Sequence, residues 1–294
     1  MSCTDPPLFQ PLEQRIKPDS LIQIGGSSPR FVVGYWGIRG LGAPLRMMLS
    51  AAGVDHWVAM YDALEEGDEG WIQASWDHDK EWTKKECNPF MNLPYLIDCK
   101  EQVIMCQTNA IKTYLGRELD MLGSTKLETA KCEELLCELY DLRNGMVRFA
   151  YDGKMKSKAK QCLASAKPHF NKLEAYLSTA GTPGCLVGTK LSSPDFHLYE
   201  MLDQYNLLTE HYKLEDDMLG PYPKLAAYKK AFEEMPENQV YLNSFLHKEL
   251  PFNNPYAHFG SDPTTKVYTR GQATPWKQKG IVRVENKKRL ADEM

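Results

Sequence analysis

Hydrophobic and polar positions follow two different periods along the chain. Between residues 31 and 118 the apolar residues come in short runs. Phe31 to Val33, His56 to Tyr61, Tyr95 to Ile97 and Gln102 to Met105 read as strands, separated by glycine, proline and polar turns. Leu45, Met47, Met48, Leu49 and Ala52 recur at helical spacing after the first run, with Pro44 in the first turn and Gly53 near the end. Gln107-Thr108-Asn109 opens a second helix, where Thr108 is a cap-type residue and Ile111, Tyr114 and Leu115 form the apolar face. Residues 62 to 88 are acidic, tryptophan-rich and weakly periodic, which predicts a long, partly helical loop. The order is strand, helix, strand, loop, strand, hairpin, strand, helix: a small α/β unit.

From about Thr125 the period changes. Residues 125 to 150, 157 to 179, 192 to 207 and 222 to 246 show helical spacing, punctuated by Pro183-Gly184, Gly220-Pro221 and Pro236. An all-helical domain is predicted over 125–247. Ser192-Ser193-Pro194-Asp195 predicts a helix start, with Ser192 and Asp195 as a capping box. Residues 1 to 30, with four prolines and Gly25-Gly26-Ser27-Ser28-Pro29, read as a flexible arm. Residues 248 to 294 lose periodicity and read as a tail that is poorly ordered or drapes over the surface.

Composition narrows the function classes. The chain has 294 residues, 43% hydrophobic and 25% charged, with a net charge of -4. That balance gives no footprint for nucleic acid, and no apolar run approaches the roughly 18 residues of a membrane span. The eight cysteines lie scattered, without Cys-x-x-Cys pairs or zinc-ligand spacing, so they read as reduced structural thiols in a cytoplasmic protein, with no metal. None of the seven histidines sits in a nucleophile motif.

Candidate chemistry begins at Phe31-Val32-Val33-Gly34-Tyr35-Trp36-Gly37-Ile38-Arg39-Gly40-Leu41, where Tyr35 stands at a strand end before a glycine-punctuated turn. Ligand chemistry in open α/β sheets gathers at such ends. Trp76 and Lys80 are spaced to share a helical face. Pro94 at the start of a strand marks an edge or a special turn. Gln107 and Thr108 lead into a helix N-terminus, a natural seat for a carboxylate.

The segments Gly34-Tyr35-Trp36-Gly37-Ile38-Arg39-Gly40-Leu41, Asn92-Leu93-Pro94-Tyr95-Leu96-Ile97-Asp98 and Gln107-Thr108-Asn109-Ala110-Ile111 together resemble the cytosolic glutathione transferases, most closely the mu class, over roughly residues 31 to 247. The resemblance implies a thioredoxin-like glutathione-binding domain over 31–120, followed by a helical electrophile-binding and dimerisation domain. It implies a homodimer that needs no cofactor, uses glutathione as co-substrate and conjugates it to mostly hydrophobic electrophiles in detoxification. Tyr35 then takes the family's thiolate-stabilising place, with Trp36 beside it. Pro94 resembles the family's cis-proline, Leu93 offers its backbone to the cysteinyl part of glutathione, and Asn92 stands beside it. Gln107 and Thr108 hold the γ-glutamyl end, and Trp76 and Lys80 the glycyl carboxylate, with Lys84 as the alternative lysine. In the helical part, Asp141 corresponds to an aspartate facing the partner subunit's glutathione, and Tyr151 to a tyrosine beside the electrophile. Arg143 and Arg148 lie where the class has small or apolar pocket residues, which favours polar or anionic electrophiles.

The residue chemistry fits that reading. A free thiol titrates near about 8.5, and the thiolate is the nucleophile. A phenol donating to the thiolate is worth roughly 1.5–3 kcal/mol, or about one to two pKa units. The alternatives are a non-catalytic binding protein that keeps the fold, with the terminal extensions serving a partner, or a thiol oxidoreductase. The latter needs a cysteine at the Tyr35 turn, and residues 31 to 41 contain none.

Overall fold

The computed structural model of the protein describes residues 16–26, 28–65, 71–214, 217–261 and 281–285. Contacts divide the chain into two compact units. One takes Met1–Gly37, Val54–Ile111 and Pro275–Met294; the other takes Ile38–Gly53 and Lys112–Thr274.

In chain order the elements are β1 (Ser20–Ile24), β2 (Phe31–Trp36), α1 (Gly42–Ala51), β3 (His56–Tyr61), the short strands β4 (Leu64–Glu65) and β5 (Trp71–Ile72), α2 (Ala74–Glu86), β6 (Tyr95–Asp98), β7 (Val103–Cys106) and α3 (Thr108–Glu118). Then follow α4 (Lys126–Tyr151), α5 (Ala159–Thr179), α6 (Ser193–Tyr212), α7 (Pro223–Glu234), α8 (Pro236–Leu242), α9 (Phe245–Lys248) and β8 (Ile281–Glu285). The helical segment over 222–246 divides at Pro236, as that proline predicts: Pro236 cannot continue the ladder and starts α8 instead.

The first unit is built on a sheet of order β7-β6-β2-β3-β1-β8. β2 and β3 are parallel; the other neighbours are antiparallel. β3 is buried along its whole length and β2 over its first five residues, so both read as continuous apolar runs rather than alternating ones. Gly34 in β2 has a packing reason. A Cβ there would lie 2.0 Å from Cζ of Tyr95, whose ring crosses the strand.

Of the expected flexible arm, residues 1–30, positions 1–15 and 27 lie outside the described residues, and the described part is corrected. Ser20–Ile24 pairs along its full length with β3, with Leu21 and Ile22 buried, and Ile16 joins the apolar cluster of Trp57, Tyr61, Trp76 and Tyr95. Six residues between Pro18 and Gly25 give a weak local signal, and the unpaired edge of β3 supplies what the local sequence does not. Of the expected tail, residues 262–280 and 286–294 lie outside the described residues, and the described part is corrected likewise. Pro251, Phe252, Asn253 and Asn254 are buried, and β8 pairs with β1.

In the second unit α6 is buried on nearly all sides. It starts as expected: the Asp195 carboxylate accepts the Ser192 N–H at 2.7 Å and the Ser192 hydroxyl at 2.6 Å. It also accepts the Leu186 N–H at 2.7 Å and the Tyr228 hydroxyl at 2.9 Å. Burial pushes the Asp195 carboxyl up to about 6 against these bonds. Further along α6, Glu200 and Asp203 clasp the buried Arg39 guanidinium at 2.7 and 2.8 Å. Burial alone would lower the Arg39 pKa, but the two carboxylates raise it. The guanidinium also lies 4.1 Å from the centre of the Phe252 ring, and the Arg39 and Gly40 N–H groups bond the Pro251 and Phe252 carbonyls.

Candidate functional site

Strand register gathers three of the sequence motifs at one end of the sheet. β2 and β6 are antiparallel with Gly34 opposite Tyr95. Extending that pairing by one and two residues sets Pro94 level with Tyr35 and Leu93 level with Trp36. β6 and β7 pair with Tyr95 opposite Cys106, so the same extension brings Gln107 and Thr108 level with Pro94 and Leu93. Tyr35, Trp36, Leu93, Pro94, Gln107 and Thr108 thus share one sheet end.

Each motif has a local geometry suited to that place. Tyr35 is 5% exposed and Trp36 is half-buried. After Trp36 the chain turns, and the Gly37 N–H bonds the Tyr61 carbonyl at 2.8 Å. The Leu93–Pro94 peptide bond is cis, as the resemblance implies. Asn92 is exposed, and its side-chain oxygen accepts the Leu93 N–H at 3.0 Å. Gln107 has φ of 74°, in the left-handed region that costs a non-glycine residue about 1–3 kcal/mol. That turn lets α3 begin immediately after β7, and the Gln107 carbonyl takes the Ile111 N–H at 3.0 Å. Thr108 is buried at the first position of α3, while Gln107 is exposed.

α2 is the helical part of the expected, partly helical loop, over Ala74–Glu86. Trp76 and Lys80 share a face of it, with the Lys80 ammonium 5.9 Å from the Trp76 ring centre. Trp76 itself sits among other aromatic rings. Its ring is only 3% exposed and packs edge-on against Trp36 at 6.4 Å and Tyr61 at 5.3 Å, and stacks on Tyr95 at 6.4 Å. Packed in this way, the indole supports Trp36 and Lys80. Lys80 is half-buried, whereas Lys84 is exposed.

One buried group escaped the sequence reading. Asp79, between Trp76 and Lys80, is fully buried. Its carboxylate accepts the Tyr61 hydroxyl and the Lys17 N–H, each at 2.7 Å, and lies 3.0 Å from His78 Nδ1. The Tyr95 hydroxyl is 2.8 Å from that of Tyr61. Burial raises the Asp79 pKa despite these bonds. The run Trp76-Asp77-His78-Asp79-Lys80 looks uniformly polar, and only the i,i+3 relation to Trp76 marks Asp79 as the inward carboxylate.

The remaining expected residues lie on α4 in the helical unit. Asp141 and Arg148 are exposed, Arg143 is half-buried, and Tyr151 ends the helix. The Tyr151 hydroxyl accepts the Asn254 N–H at 2.9 Å, and the Tyr256 ring is 5.5 Å away. The C-terminal segment continues along α4, with the His258 N–H on the Ala150 carbonyl at 2.9 Å.

The seven described cysteines are free thiols. Burial pushes Cys132 and Cys185 up to about 11 and Cys162 up to about 12, away from the reactive range. Among the described residues no helix is long and apolar enough to cross a membrane, and no group of three acidic, His or Cys side chains is placed to hold a metal ion.

A family model described as the glutathione S-transferase C-terminal domain matches residues 140–245. The class-mu 26 kDa glutathione S-transferase of Schistosoma mansoni is 30% identical over 237 residues, covering 81% of this chain and 98% of the relative. Glutathione S-transferase Mu 5 of Mus musculus is 29% identical, covering 80% and 98%. Among solved structures, the glutathione S-transferase Blo t 8 is similar with a TM-score of 0.67 and 25% identity, over 78% of this chain and 99% of that one. A Pi-class glutathione S-transferase of Onchocerca volvulus shares the fold with a TM-score of 0.62 at 22% identity, over 78% and 100%. With its thioredoxin-like sheet, its helical unit and these relatives, the chain belongs to the glutathione S-transferase family and is an enzyme of that family most similar to the mu class.

Proposed function

We propose that the enzyme binds glutathione at the sheet end and that the Tyr35 hydroxyl donates a hydrogen bond to the glutathione thiolate, which then attacks an electrophilic small molecule to form a thioether. The observation that carries this reading is the register, which sets Tyr35, Leu93-Pro94 and Gln107-Thr108 level with one another. A tripeptide is long enough to touch all three. The Leu93 backbone suits the cysteinyl part, since an extended peptide pairs with exposed N–H and C=O groups. Asn92, already holding the Leu93 N–H, stands beside it. The strained turn at Gln107 and the start of α3 suit the γ-glutamyl carboxylate, which a helix N-terminus favours. Lys80, steadied over Trp76, suits the glycyl carboxylate. Trp36 borders the thiol.

The thiol is mostly protonated near neutral pH, so stabilising its anion is the task of the site. A neutral phenol does this without a general base. The Tyr151 oxygen accepts the Asn254 N–H at the end of α4, and the hydroxyl there suits a place beside the electrophile, where it assists the leaving group or lines the pocket. Arg148, one turn earlier on α4, favours anionic or polar electrophiles. Asp141, exposed on α4, suits a homodimer in which it approaches the partner's ligand.

Conjugation of glutathione to a chromogenic aryl halide tests this. Tyr35→Phe is expected to cut turnover by about ten-fold or more while leaving glutathione affinity largely intact. Unchanged turnover removes Tyr35 from the mechanism.

A further inference from the structure

The segment before β1 grips the part of the chain that leads into α2. The Asp19 carboxylate accepts the Asp62 N–H at 2.8 Å with one oxygen and the Ser75 hydroxyl at 2.7 Å with the other. Asp62 directly follows β3, and Ser75 is the second residue of α2. One side chain therefore joins both ends of the connection from β3 to α2. Two residues earlier, the Lys17 N–H reaches Asp79 in the middle of α2 at 2.7 Å, and Ile16 packs into the apolar cluster that contains Trp76. Pairing of β1 with β3 fixes the segment itself. Three independent points thus tie α2 to a stretch that lies ahead of the first family motif.

We propose that Asp19 is a positioning residue for glutathione binding: it sets the start of α2, and through it Lys80, for the glycyl carboxylate. This rests on the reading of α2 as the glycyl-carboxylate holder. Asp19 lies apart from the Tyr35 motif in sequence and has no part in stabilising the thiolate. Its loss should therefore change the affinity for the tripeptide and spare the chemical step. Both its hydrogen bonds have a charged acceptor, the stronger kind.

The test compares two thiol substrates on the full chain, glutathione and γ-glutamylcysteine, which lacks the glycine. Asp19→Ala is expected to raise KM for glutathione about ten-fold, leave kcat at saturating thiol near the wild-type value, and leave KM for γ-glutamylcysteine unchanged. Ser75→Ala, which removes one of the two bonds, should shift KM for glutathione in the same direction by a smaller factor, and it decides the matter if Asp19→Ala does not fold. Equal KM values for the two thiols in the wild type would overturn the reading of α2 itself. If the wild type prefers glutathione and both variants keep that preference in full, the α2 reading stands and the role of Asp19 is overturned. An equal rise in KM for both thiols also overturns it, since a general loss of structure does not depend on the glycine.

Discussion

Each unit buries a polar cluster, and the two are built differently. In the sheet unit Asp79, Tyr61 and Tyr95 form a chain of complementary groups. The carboxylate accepts from the Tyr61 hydroxyl and the Lys17 N–H, and because the Tyr61 proton is committed there, the Tyr95 hydroxyl donates to Tyr61. In the helical unit Lys112 Nζ lies 2.6 Å from His197 Nδ1, with both side chains buried. These are two groups that both become positive. If Nδ1 accepts from Lys112, the ring proton belongs on Nε2, which has no hydrogen-bond partner among the described residues. Burial lowers the Lys112 pKa, and nearby Arg143 lowers it further, while Glu200 raises it. Burial lowers His197 as well, with Lys112 and Arg143 adding to the shift. The sheet network holds the Tyr95 ring over Gly34, beside the proposed site. The helical pair fills its place at a cost. Polar groups at equal depth stabilise or destabilise according to whether donor meets acceptor and charge meets countercharge.

The largest effect should come where the helical unit does match its charges. Arg39→Met leaves Glu200 and Asp203 buried without their cation, and chemical denaturation should show a loss of about 3–5 kcal/mol. A loss under about 1 kcal/mol would mean that the cluster is worth no more than a surface pair.

Breaking the sheet network should cost less. In Gly34→Ala the new methyl meets the Tyr95 ring, which must leave its place and with it the Tyr61 hydroxyl. A loss of about 1–3 kcal/mol is expected. Turnover should fall too, since the displaced ring lies next to Tyr35 in the register.

The smallest change should be a gain. Replacing the mismatched pair with apolar residues, Lys112→Met with His197→Leu, should stabilise the protein by about 1–2 kcal/mol at pH 7. The gain has a pH signature. A base whose folded pKa lies below its unfolded value makes the unfolded chain bind more protons, so stability falls as pH drops through the unfolded value, about 6.5 for histidine. The wild type should therefore lose ground to the double variant as pH falls below about 6.5. Thermal melts of both proteins at matched pH values check this. A constant difference from pH 7 to pH 5 would remove His197 from the account.

Much of the fold was legible because its signals are local. β3 spans His56–Tyr61 as its apolar run predicts, and the helix after Gln107 and the Ser192–Asp195 start also stand where expected. α2 was less legible. Its buried face is carried by Trp76, Asp79 and Thr83, two of them polar, so no apolar stripe marks it. β1 was missed because its pairing partner lies more than thirty residues away and Pro18 and Gly25-Gly26 look like a linker. The Asp19 and Lys17 contacts span 43 to 62 residues, beyond any spacing rule. Lys112 follows Ile111 and reads as a solvated face, and only packing against α6 reveals the pair with His197. The motifs at the sheet end could be read singly. That Tyr35, Pro94 and Gln107 stand level needs the register, which no one segment contains.

The most direct measurement is a titration of glutathione bound to the enzyme, following thiolate absorbance against pH for the wild type and Tyr35→Phe. A hydrogen bond from Tyr35 to the thiolate predicts a bound-thiol pKa about one to two units below the free value of about 8.5 in the wild type, returning close to the free value in the variant. The same depressed pKa in both proteins would contradict the role given to Tyr35.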